Sequence, residues 1–452
     1  MAPTIDISAW IDQQKISRIQ VAVLCICALA AMLEGLDAQV IGYLAPAISA
    51  DWQIPAHSFT PVFVAGLVGL LFGCLFIAPL ADVLGRKSVL FGSMAVFGTF
   101  SLLSASAASM HSLMVLRFLT DAGLGAGMAN AIAMTSEFFP THRRAAMTVL
   151  MFCGFPLGAA LGGVLSAVLI PRSGWSAVFY WGGVLPLFAA VIVAGWLPES
   201  LRHMVVKGAD PEHIAAILRR INPRATFPVD AKFVTREERR PGLTVRHLFD
   251  AGRTSGTLLL WVIFFMSLLD IFLLTSWMPS VLHDAGLSIS VSVVITAMLQ
   301  GSGVLASLAI GPVLTRRGCL QVLLPLYLVG GAGIAAIGLA GSALWPIILA
   351  ACATGAGIVA GQNTANALAS IYYPTYMRAT GVGWALGIGR VGAILGPVLG
   401  GLMISLQWSR EALFLVGAIP ALVAALAALA LLRLERSRSA ASPRPGLTAS
   451  LE

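Results

Sequence analysis

The chain has 452 residues, of which 58% are hydrophobic and only 11% are charged, and its mean hydropathy is +0.89. Soluble domains carry about 25% charged residues, so this composition excludes a soluble globular protein. The 28 basic and 20 acidic side chains give a formal charge of +8. The basic residues lie mainly in the connections on one side of the apolar segments, and this distribution argues against a protein that binds nucleic acid.

Long apolar segments recur from one end of the chain to the other. A segment that crosses a bilayer must satisfy its backbone hydrogen bonds internally, so these segments predict an all-α integral membrane protein. We predict twelve transmembrane helices, at residues 20–47, 59–80, 89–108, 112–137, 145–170, 177–197, 256–282, 289–313, 319–341, 344–371, 379–405 and 412–433.

A polar stretch divides these segments into six and six. We predict an N-terminal six-helix bundle at 20–197 and a C-terminal six-helix bundle at 256–433, joined by a cytoplasmic central loop at 198–255. Residues 1–19 are predicted to form a polar cytoplasmic segment. The composition of 434–452 predicts a disordered cytoplasmic tail.

The distribution of basic residues predicts that both termini are cytoplasmic. With this orientation, all basic residues except Arg117, Arg172, Arg390 and Arg410 lie on the cytoplasmic side, eleven of them in the central loop. This is the positive-inside pattern of membrane proteins. It predicts a multi-pass protein of the inner (plasma) membrane. Arg117 and Arg390 fall inside spans and need a separate explanation.

The two halves of the chain repeat each other. The segment FPTHRRA at 139–145 matches YPTYMRA at 373–379, and the loop APLADVLGRK at 78–87 matches GPVLTRRGCL at 311–320. The two matches have nearly the same offset, 234 and 233 residues. A duplication in parallel orientation is typical of transporters that bind substrate between two halves, near the membrane midplane.

The loop at 78–87 resembles the signature loop of the major facilitator superfamily. Most of that signature is present here, as Asp82, Gly85, Arg86 and Lys87. Two positions depart from it, because Ala78 replaces the usual glycine and Val83 the usual arginine. The resemblance implies two pseudo-symmetric six-helix bundles that rock about a central site.

Within the superfamily, the chain resembles the aromatic acid:proton symporters over nearly its whole length. The resemblance lies in EGLDAQVIGYLAPAI, RFLTDAGLGAGMANAIAMTSE, WLPES and YPTYMRATGVGWALGIGRVGAILGP. The family usually has aspartate at the position of Glu34, and a glutamate there is similar to the hydroxyphenylpropionate transporters. The family usually has glycine at the position of Asp121. The resemblance implies import of an aromatic carboxylate, such as a hydroxybenzoate, gentisate or a hydroxyphenylpropionate, coupled to protons.

Two acids lie inside the first span. Glu34 and Asp37 are three residues apart, so they share one face of a helix. In a weakly solvated cavity, desolvation and mutual repulsion keep one of two adjacent carboxyl groups protonated. We predict that Asp37 and Glu34 couple transport to protons. The alternative is a polar pair that only holds neighbouring helices together.

Two arginines lie inside spans. Arg390 is twelve residues beyond Arg378, which places it roughly 18 Å into the membrane. A guanidinium at that depth needs an anion, and its planar fork suits a carboxylate. We predict that Arg390 and Arg117 bind the carboxylate of the substrate. For Arg117 the alternative is a local ion pair with Asp121, four residues further along the same helix.

Other polar and aromatic side chains within the spans are predicted to complete the substrate site. Amide groups would bind a ring hydroxyl, aromatic rings would stack on the substrate, and an acid would pair with Arg390 when the site is empty. These candidates are Gln39, Gln300, Gln362, Asn363, Tyr43, Trp277, Trp384 and Asp270. The alternatives are hydrogen bonding between helices for the amides and plain packing for the rings.

The resemblance also implies a gate at the cytoplasmic side. A salt bridge that breaks as the bundles rock gives two discrete states. We predict that the gate contains Asp82, Gly85, Arg86, Lys87, Glu137, Arg144, Arg316 and Arg378. Positive-inside charge alone would explain the basic residues of this set, but it does not explain Asp82.

The sequence therefore predicts a proton-coupled symporter that works by alternating access. Its partners would be a small aromatic carboxylate, protons and the lipid bilayer, and the protein would act as a monomer. We expect no enzyme activity, no cofactor and no metal site, because no metal-ligand spacing or nucleophile–base pair is present. The alternative is an efflux antiporter for organic anions or drugs with the same fold.

Overall fold

The structure is a computed structural model that describes residues 4–228, 231–235, 248–250, 252–341, 343–373 and 378–441, with only the backbone described at 145, 312, 314–317, 378–379 and 438–441. The helices are α1 (Ile7–Asp12), α2 (Arg18–Trp52), α3 (Thr60–Phe72), α4 (Ala81–Leu84), α5 (Arg86–Ser104), α6 (Met110–Phe138), α7 (Thr141–Phe152), α8 (Gly154–Ser173), α9 (Ser176–Trp196), α10 (Leu201–Val206), α11 (Pro211–Ile221), α12 (Thr254–Asp284), α13 (Ile289–Arg317), α14 (Cys319–Leu339), α15 (Leu344–Tyr372), α16 (Arg378–Ser405), α17 (Arg410–Gly417) and α18 (Ile419–Ala441). The strands are β1 (Thr4–Asp6) and β2 (Lys232–Val234).

Twelve helical segments of the described chain form the membrane part. Short 3-10 and π turns join α3 and α4 into one segment, while α7 with α8 and α17 with α18 form two more. Eleven of the described segments are long and apolar enough to cross a bilayer. The remaining one, α6, has 29 residues and is long enough as well, but it carries Arg117 and Asp121.

The duplication seen in the sequence recurs in the backbone. Pro46 lies inside α2, and Pro279 lies at the corresponding position of α12, 233 residues further on. Gly85 and Gly318 precede α5 and α14 with positive φ angles of 94° and 81°. Only glycine adopts such angles without strain, so both halves turn into their third span in the same way.

The two bundles meet near the end of the molecule that carries the α2–α3 connection at 53–59, which we call the closed end. Here the backbone of Gly42 on α2 lies against Thr275 on α12. The ring of Phe63 packs edge-on against Trp277, with 5.1 Å between ring centroids. The absence of a side chain at Gly42 permits this approach, because a Cβ would clash with the facing backbone. The opposite end, where α2 and α5 begin, is called the open end.

The predicted N-terminal segment and central loop both contain short elements of regular structure at the open end. Strand β1 pairs in parallel with β2. Trp10 packs on Phe227, and the N–H of Thr141 donates to Asp12 Oδ1 at 2.6 Å. The buried face of α11 consists of Ile214, Ala215, Leu218 and Ile221. These elements are short and mostly polar, so composition alone did not predict them.

The C-terminal end also differs from the prediction. Helix α18 continues to Ala441, eight residues past the predicted end of the last span at 433. The remaining part of the predicted tail, 442–452, lies outside the described residues.

Candidate functional site

A buried charged cluster lies inside the N-terminal bundle. Arg117 on α6 donates to both carboxylate oxygens of Asp37 on α2, at 2.6 and 3.1 Å, and to Asp121 Oδ1 at 2.8 Å. The three side chains are 1%, 0% and 9% exposed, respectively. We call Asp37, Arg117 and Asp121 the triad. With all three groups ionised, the triad carries one excess negative charge.

The neighbours of the triad belong to the same bundle. The hydroxyl of Ser101 on α5 lies 3.5 Å from Asp37 Oδ1, and a Cβ built on Gly182 of α9 would lie 4.0 Å from that oxygen. On the other side, a Cβ at Gly66 of α3 would clash with the Asp121 carboxylate. Asp37 therefore points into its own bundle, and glycine at position 66 makes room for Asp121.

Glu34 lies in a different environment from Asp37. Its side chain is buried, its Oε1 has no hydrogen-bond partner, and its electrostatic neighbours include Arg390 on α16 of the other bundle. Arg390 is half-buried and forms no ion pair or hydrogen bond with any described residue. The charge of Arg390 also acts on Cys74, next to α3. The charge of Arg390 thus acts on Glu34 across the interface between the halves, without an ion pair between the two side chains.

The face of α16 that carries Arg390 is partly uncovered. Gly387 and Gly383 lie three and seven residues before Arg390 on α16, so all three share one face of the helix. A Cβ added at either glycine would meet no atom within 4 Å. Cys74, on which the charge of Arg390 acts, is exposed. The helix surface between Arg390 and the start of α16 is therefore not covered by other described residues at these positions.

The predicted polar side chains of the second half are placed as follows. Asn363 donates to Ser307 Oγ at 2.9 Å, and Gln362 donates to Asn366 Oδ1 at 3.1 Å. The remaining oxygen of Gln362, like that of Gln300, is buried without a partner. The Nε2 of Gln39 is also buried and unpartnered. Several amide groups near the interface therefore retain unused hydrogen-bonding capacity.

Asp270 does not pair with Arg390. It lies 233 residues after Asp37, at the equivalent position of α12, and is fully buried. Neither of its carboxylate oxygens has a hydrogen-bond partner, and its only electrostatic neighbour among the described residues is Tyr327 on α14. The structure therefore places Asp270 inside the C-terminal bundle, with no ion pair to Arg390.

The three predicted aromatic residues all contact protein groups. The Tyr43 hydroxyl donates to the carbonyl of Ala159 at 2.9 Å, and the Trp277 indole donates to the carbonyl of Pro397 at 2.9 Å. Trp384 stacks on Trp261, with ring centroids 5.8 Å apart and planes inclined by 19°. In this conformation none of the three offers a free face next to Arg390.

An ion-pair network stands at the open end, where the gate was predicted. Arg86 Nε lies 2.8 Å from Glu137 and its Nη2 lies 4.0 Å from Asp82. Glu199 Oε1 accepts the backbone N–H groups of Arg86 and Lys87 at 2.9 and 3.2 Å. This carboxylate caps α5, where the helix dipole favours a negative charge.

The other residues of the predicted gate form fewer described contacts. The positive φ angle of Gly85 turns the chain so that Glu199 can reach the α5 amides. Arg144 lines a small pocket together with Glu137. The side chains of Arg316 and Arg378 lie outside the described residues. Sequence reasoning missed Glu199, although it quoted the segment WLPES that contains it.

An apolar groove of about 390 Å³ lies between α8, α13 and α15, lined by Val164, Val294 and Ile348 among others. It contains none of the predicted site residues. Within the described residues, no group of three or more His, Cys, Asp or Glu side chains is arranged to hold a metal ion.

Comparisons with known proteins identify similar chains. The family model of the Major Facilitator Superfamily matches residues 27–392 and 329–451. A 4-hydroxybenzoate transporter from Pseudomonas putida is 39% identical over 93% of this chain and 94% of its own length. A 3-(3-hydroxy-phenyl)propionate transporter from Escherichia coli is 34% identical over 88% of this chain and 91% of its own length.

A solved structure has the same architecture. The xylose transporter from Escherichia coli, in a partially occluded inward open conformation, superposes with a TM-score of 0.72. The alignment covers 91% of this chain and 97% of that chain at 16% identity, which supports the fold alone. The predicted all-α architecture of twelve membrane helices is thereby confirmed.

Proposed function

The chain belongs to the Major Facilitator Superfamily, and the relatives described above are transporters. We propose that it carries a hydroxylated aromatic carboxylate across the membrane together with protons. The names of the relatives support the class of substrate. The single observation that carries the proposal is the position of Arg390. It is a half-buried guanidinium that forms no ion pair among the described residues, and its charge acts on Glu34 of the other half.

Arg390 binds the carboxylate of the substrate. A guanidinium within a membrane protein is costly unless an anion meets it, and its two parallel N–H groups match a carboxylate. The ring then extends into the interface between the bundles, where the unpartnered amide groups of Gln300 and Gln362 can bind a ring hydroxyl. A hydroxyl group matters in such a site because it satisfies buried polar atoms.

Glu34 couples transport to protons through its proximity to Arg390. In the empty carrier the charge of Arg390 acts on Glu34 across the interface, and in this proposal Glu34 is ionised there and neutralises Arg390. When a substrate carboxylate takes over Arg390, the displaced Glu34 charge is no longer compensated, and Glu34 binds a proton. Glu34 suits this role better than Asp37, which two hydrogen bonds hold to Arg117 inside the N-terminal bundle.

The orientation follows from the basic residues. The open end carries Arg86, Lys87, Arg143 and Arg144, and the central segment at the same end is rich in lysine and arginine. By the positive-inside rule this end faces the cytoplasm, which places both termini there and makes the structure inward-open. The membrane is the inner (plasma) membrane, and the protein works as a monomer.

The gate at the open end controls the cytoplasmic passage. Arg86 forms an ion pair with Glu137 on α6, and Glu199 after α9 caps α5. These contacts hold three helices of the N-terminal bundle in one arrangement while the C-terminal bundle rocks against them. Rearrangement of such an ion-pair network separates two discrete states of the carrier.

The test is substrate uptake into liposomes that contain the purified protein. With a pH gradient that is acidic outside, wild-type protein should accumulate 4-hydroxybenzoate. Arg390→Gln should raise the concentration for half-maximal uptake by about 30-fold or more, because loss of one partner of a buried charge pair costs at least about 2 kcal/mol. Arg390→Lys should restore part of the affinity.

A matched control is Arg172→Gln, because Arg172 is exposed at the end of α8. This variant should transport like the wild type. Equal affinities of Arg390→Gln and the wild type would contradict the assignment of the carboxylate site. Efflux without uptake, measured in inside-out and right-side-out vesicles, would contradict the direction of transport.

A further inference from the structure

The triad contains a charge that the mechanism above does not use. Arg117 has two carboxylates to neutralise, and Asp121 is the one with fewer hydrogen bonds, since Asp37 accepts two. Asp121 therefore adds one negative charge to a buried site that would otherwise be a neutral Asp37–Arg117 pair.

The excess negative charge favours the binding of a proton as water leaves the site. A buried carboxylate that lacks its own counter-ion costs several kcal/mol, so the group binds a proton when water leaves. Asp121 is the most exposed member of the triad, at 9% of its side chain, whereas Asp37 and Arg117 are at 0% and 1%. Asp121 is thus the group at which a proton can enter or leave.

The surroundings of the triad retain unsatisfied polar atoms. Arg117 Nε and Glu34 Oε1 are both buried without a hydrogen-bond partner. Glu34 interacts electrostatically with Asp121 and Asp37 as well as with Arg390. A change in the charge of Glu34 is therefore felt at Asp121, which links the triad to the substrate site across the bundle interface.

No other charged group takes part. The elements packed against α6 carry the following titratable side chains: Arg18, Cys25, Cys27, Glu34, Asp37, Tyr43, Asp51, Cys74, Arg86, Lys87, His142, Arg143, Arg144, Arg202 and His203. Among the described residues, Glu34, Asp37 and Arg117 are the groups found to interact electrostatically with Asp121. The basic residues of this set stand at the open end, at the starts of α2 and α5 and on α7 and α10.

We propose that Asp121 binds a second proton in each transport cycle, so that the protein moves two protons with one substrate monoanion. The proposal rests on the proposed function. When the halves close around the substrate, Glu34 and Asp121 are both protonated and Arg117 pairs with Asp37 alone. When the open end is hydrated, Asp121 releases its proton and Arg117 binds both carboxylates, as in this structure.

The consequence is a net transfer of one positive charge per cycle. One proton with one monoanion is electroneutral, whereas two protons with one monoanion respond to the membrane potential. One charge moved through 100 mV corresponds to about a 50-fold change in accumulation at equilibrium. Loss of the Asp121 carboxylate removes this response but leaves the Asp37–Arg117 pair neutral.

The experiment compares the wild type and Asp121→Asn in liposomes with 4-hydroxybenzoate as the probe. Accumulation is measured with a fixed pH gradient, at zero potential and at 100 mV negative inside, set by a potassium gradient with valinomycin. The wild type should accumulate up to about 50-fold more substrate at 100 mV. Asp121→Asn should accumulate with the pH gradient alone. Asp284→Asn, which changes an exposed acid at the end of α12, should behave like the wild type.

Two results would overturn the second proton. One is wild-type accumulation that depends on the pH gradient but not on the potential. The other is an Asp121→Asn variant that responds to the potential as the wild type does. Asp121→Gly serves as a second variant, and the wild-type measurement decides the question even if neither variant folds. Wild-type protein that takes up no substrate would contradict the proposed function as well.

Discussion

The triad makes a sharp prediction for the variant Arg117→Gln. Arg117 donates three hydrogen bonds to two buried carboxylates, at 2.6, 3.1 and 2.8 Å. Removal of one partner of a buried ion pair costs about 3–5 kcal/mol, because an uncompensated charge remains. For a unit of 150–250 residues, each kcal/mol shifts Tm by about 2–4 °C. We therefore expect Arg117→Gln to lower Tm by roughly 6–20 °C.

The assay is thermal unfolding of the purified protein in detergent, repeated at several pH values and compared with the wild type.

Two comparisons test the reasoning. The double variant Asp37→Asn with Arg117→Gln removes one of the stranded charges, and it should be more stable than Arg117→Gln alone. The double-mutant cycle measures the coupling between the two residues. The control Arg172→Gln alters an exposed guanidinium and should change stability by no more than about 0.5 kcal/mol. An Arg117→Gln variant that unfolds like the wild type at all pH values would refute this account of the triad.

Three further predictions concern the neighbours of these charges. Gly66→Ala should lower Tm, because the new Cβ would clash with the Asp121 carboxylate, and the double variant with Asp121→Gly should recover most of the lost Tm. Equal Tm values for the single and double variants would contradict this contact. Gly387→Val should fold normally but take up substrate more slowly, because the new side chain occupies the uncovered face of α16 next to Arg390; normal uptake would show that substrate reaches Arg390 by another route. Glu199→Gln should lower the free energy of unfolding by about 0.3–1 kcal/mol, through the weakened cap of α5, and an unchanged melting curve at low salt would argue against that cap.

The membrane helices were predictable because hydropathy and length determine them. The span predicted at 256–282 is found as Thr254–Asp284, and the span predicted at 112–137 is found as Met110–Phe138. The local pair of Arg117 with Asp121 was foreseeable from the spacing of four residues. Such features depend on one helix at a time, so the sequence contains them directly.

The direction in which each acid points was not predictable. Glu34 and Asp37 are three residues apart, which separates their side chains by only about 60° around a helix. In the structure this difference sends Asp37 into its own bundle and Glu34 toward Arg390 in the other half. The outcome depends on how α2 is rotated against its neighbours, and a single sequence does not specify that rotation.

The regular structure at the open end was missed for a different reason. The buried face of α11 contains only four residues, and the two strands have three residues each. Periodicity is weak in elements this short, and their contacts connect the N-terminal segment with the central segment, more than 200 positions apart. Long-range pairing of short polar elements leaves little trace in local composition.

The central claim is that Glu34 and the substrate carboxylate compete for Arg390, and the variant Glu34→Gln tests it most directly. The measurement compares net uptake of 4-hydroxybenzoate driven by a pH gradient with exchange of labelled for unlabelled substrate in the same liposomes. Without the Glu34 charge, the empty carrier cannot neutralise Arg390, so its change between the inward-facing and outward-facing states is slow. The carrier with bound substrate still changes between these states. The account predicts that Glu34→Gln keeps exchange but loses accumulation. Accumulation equal to that of the wild type would contradict it.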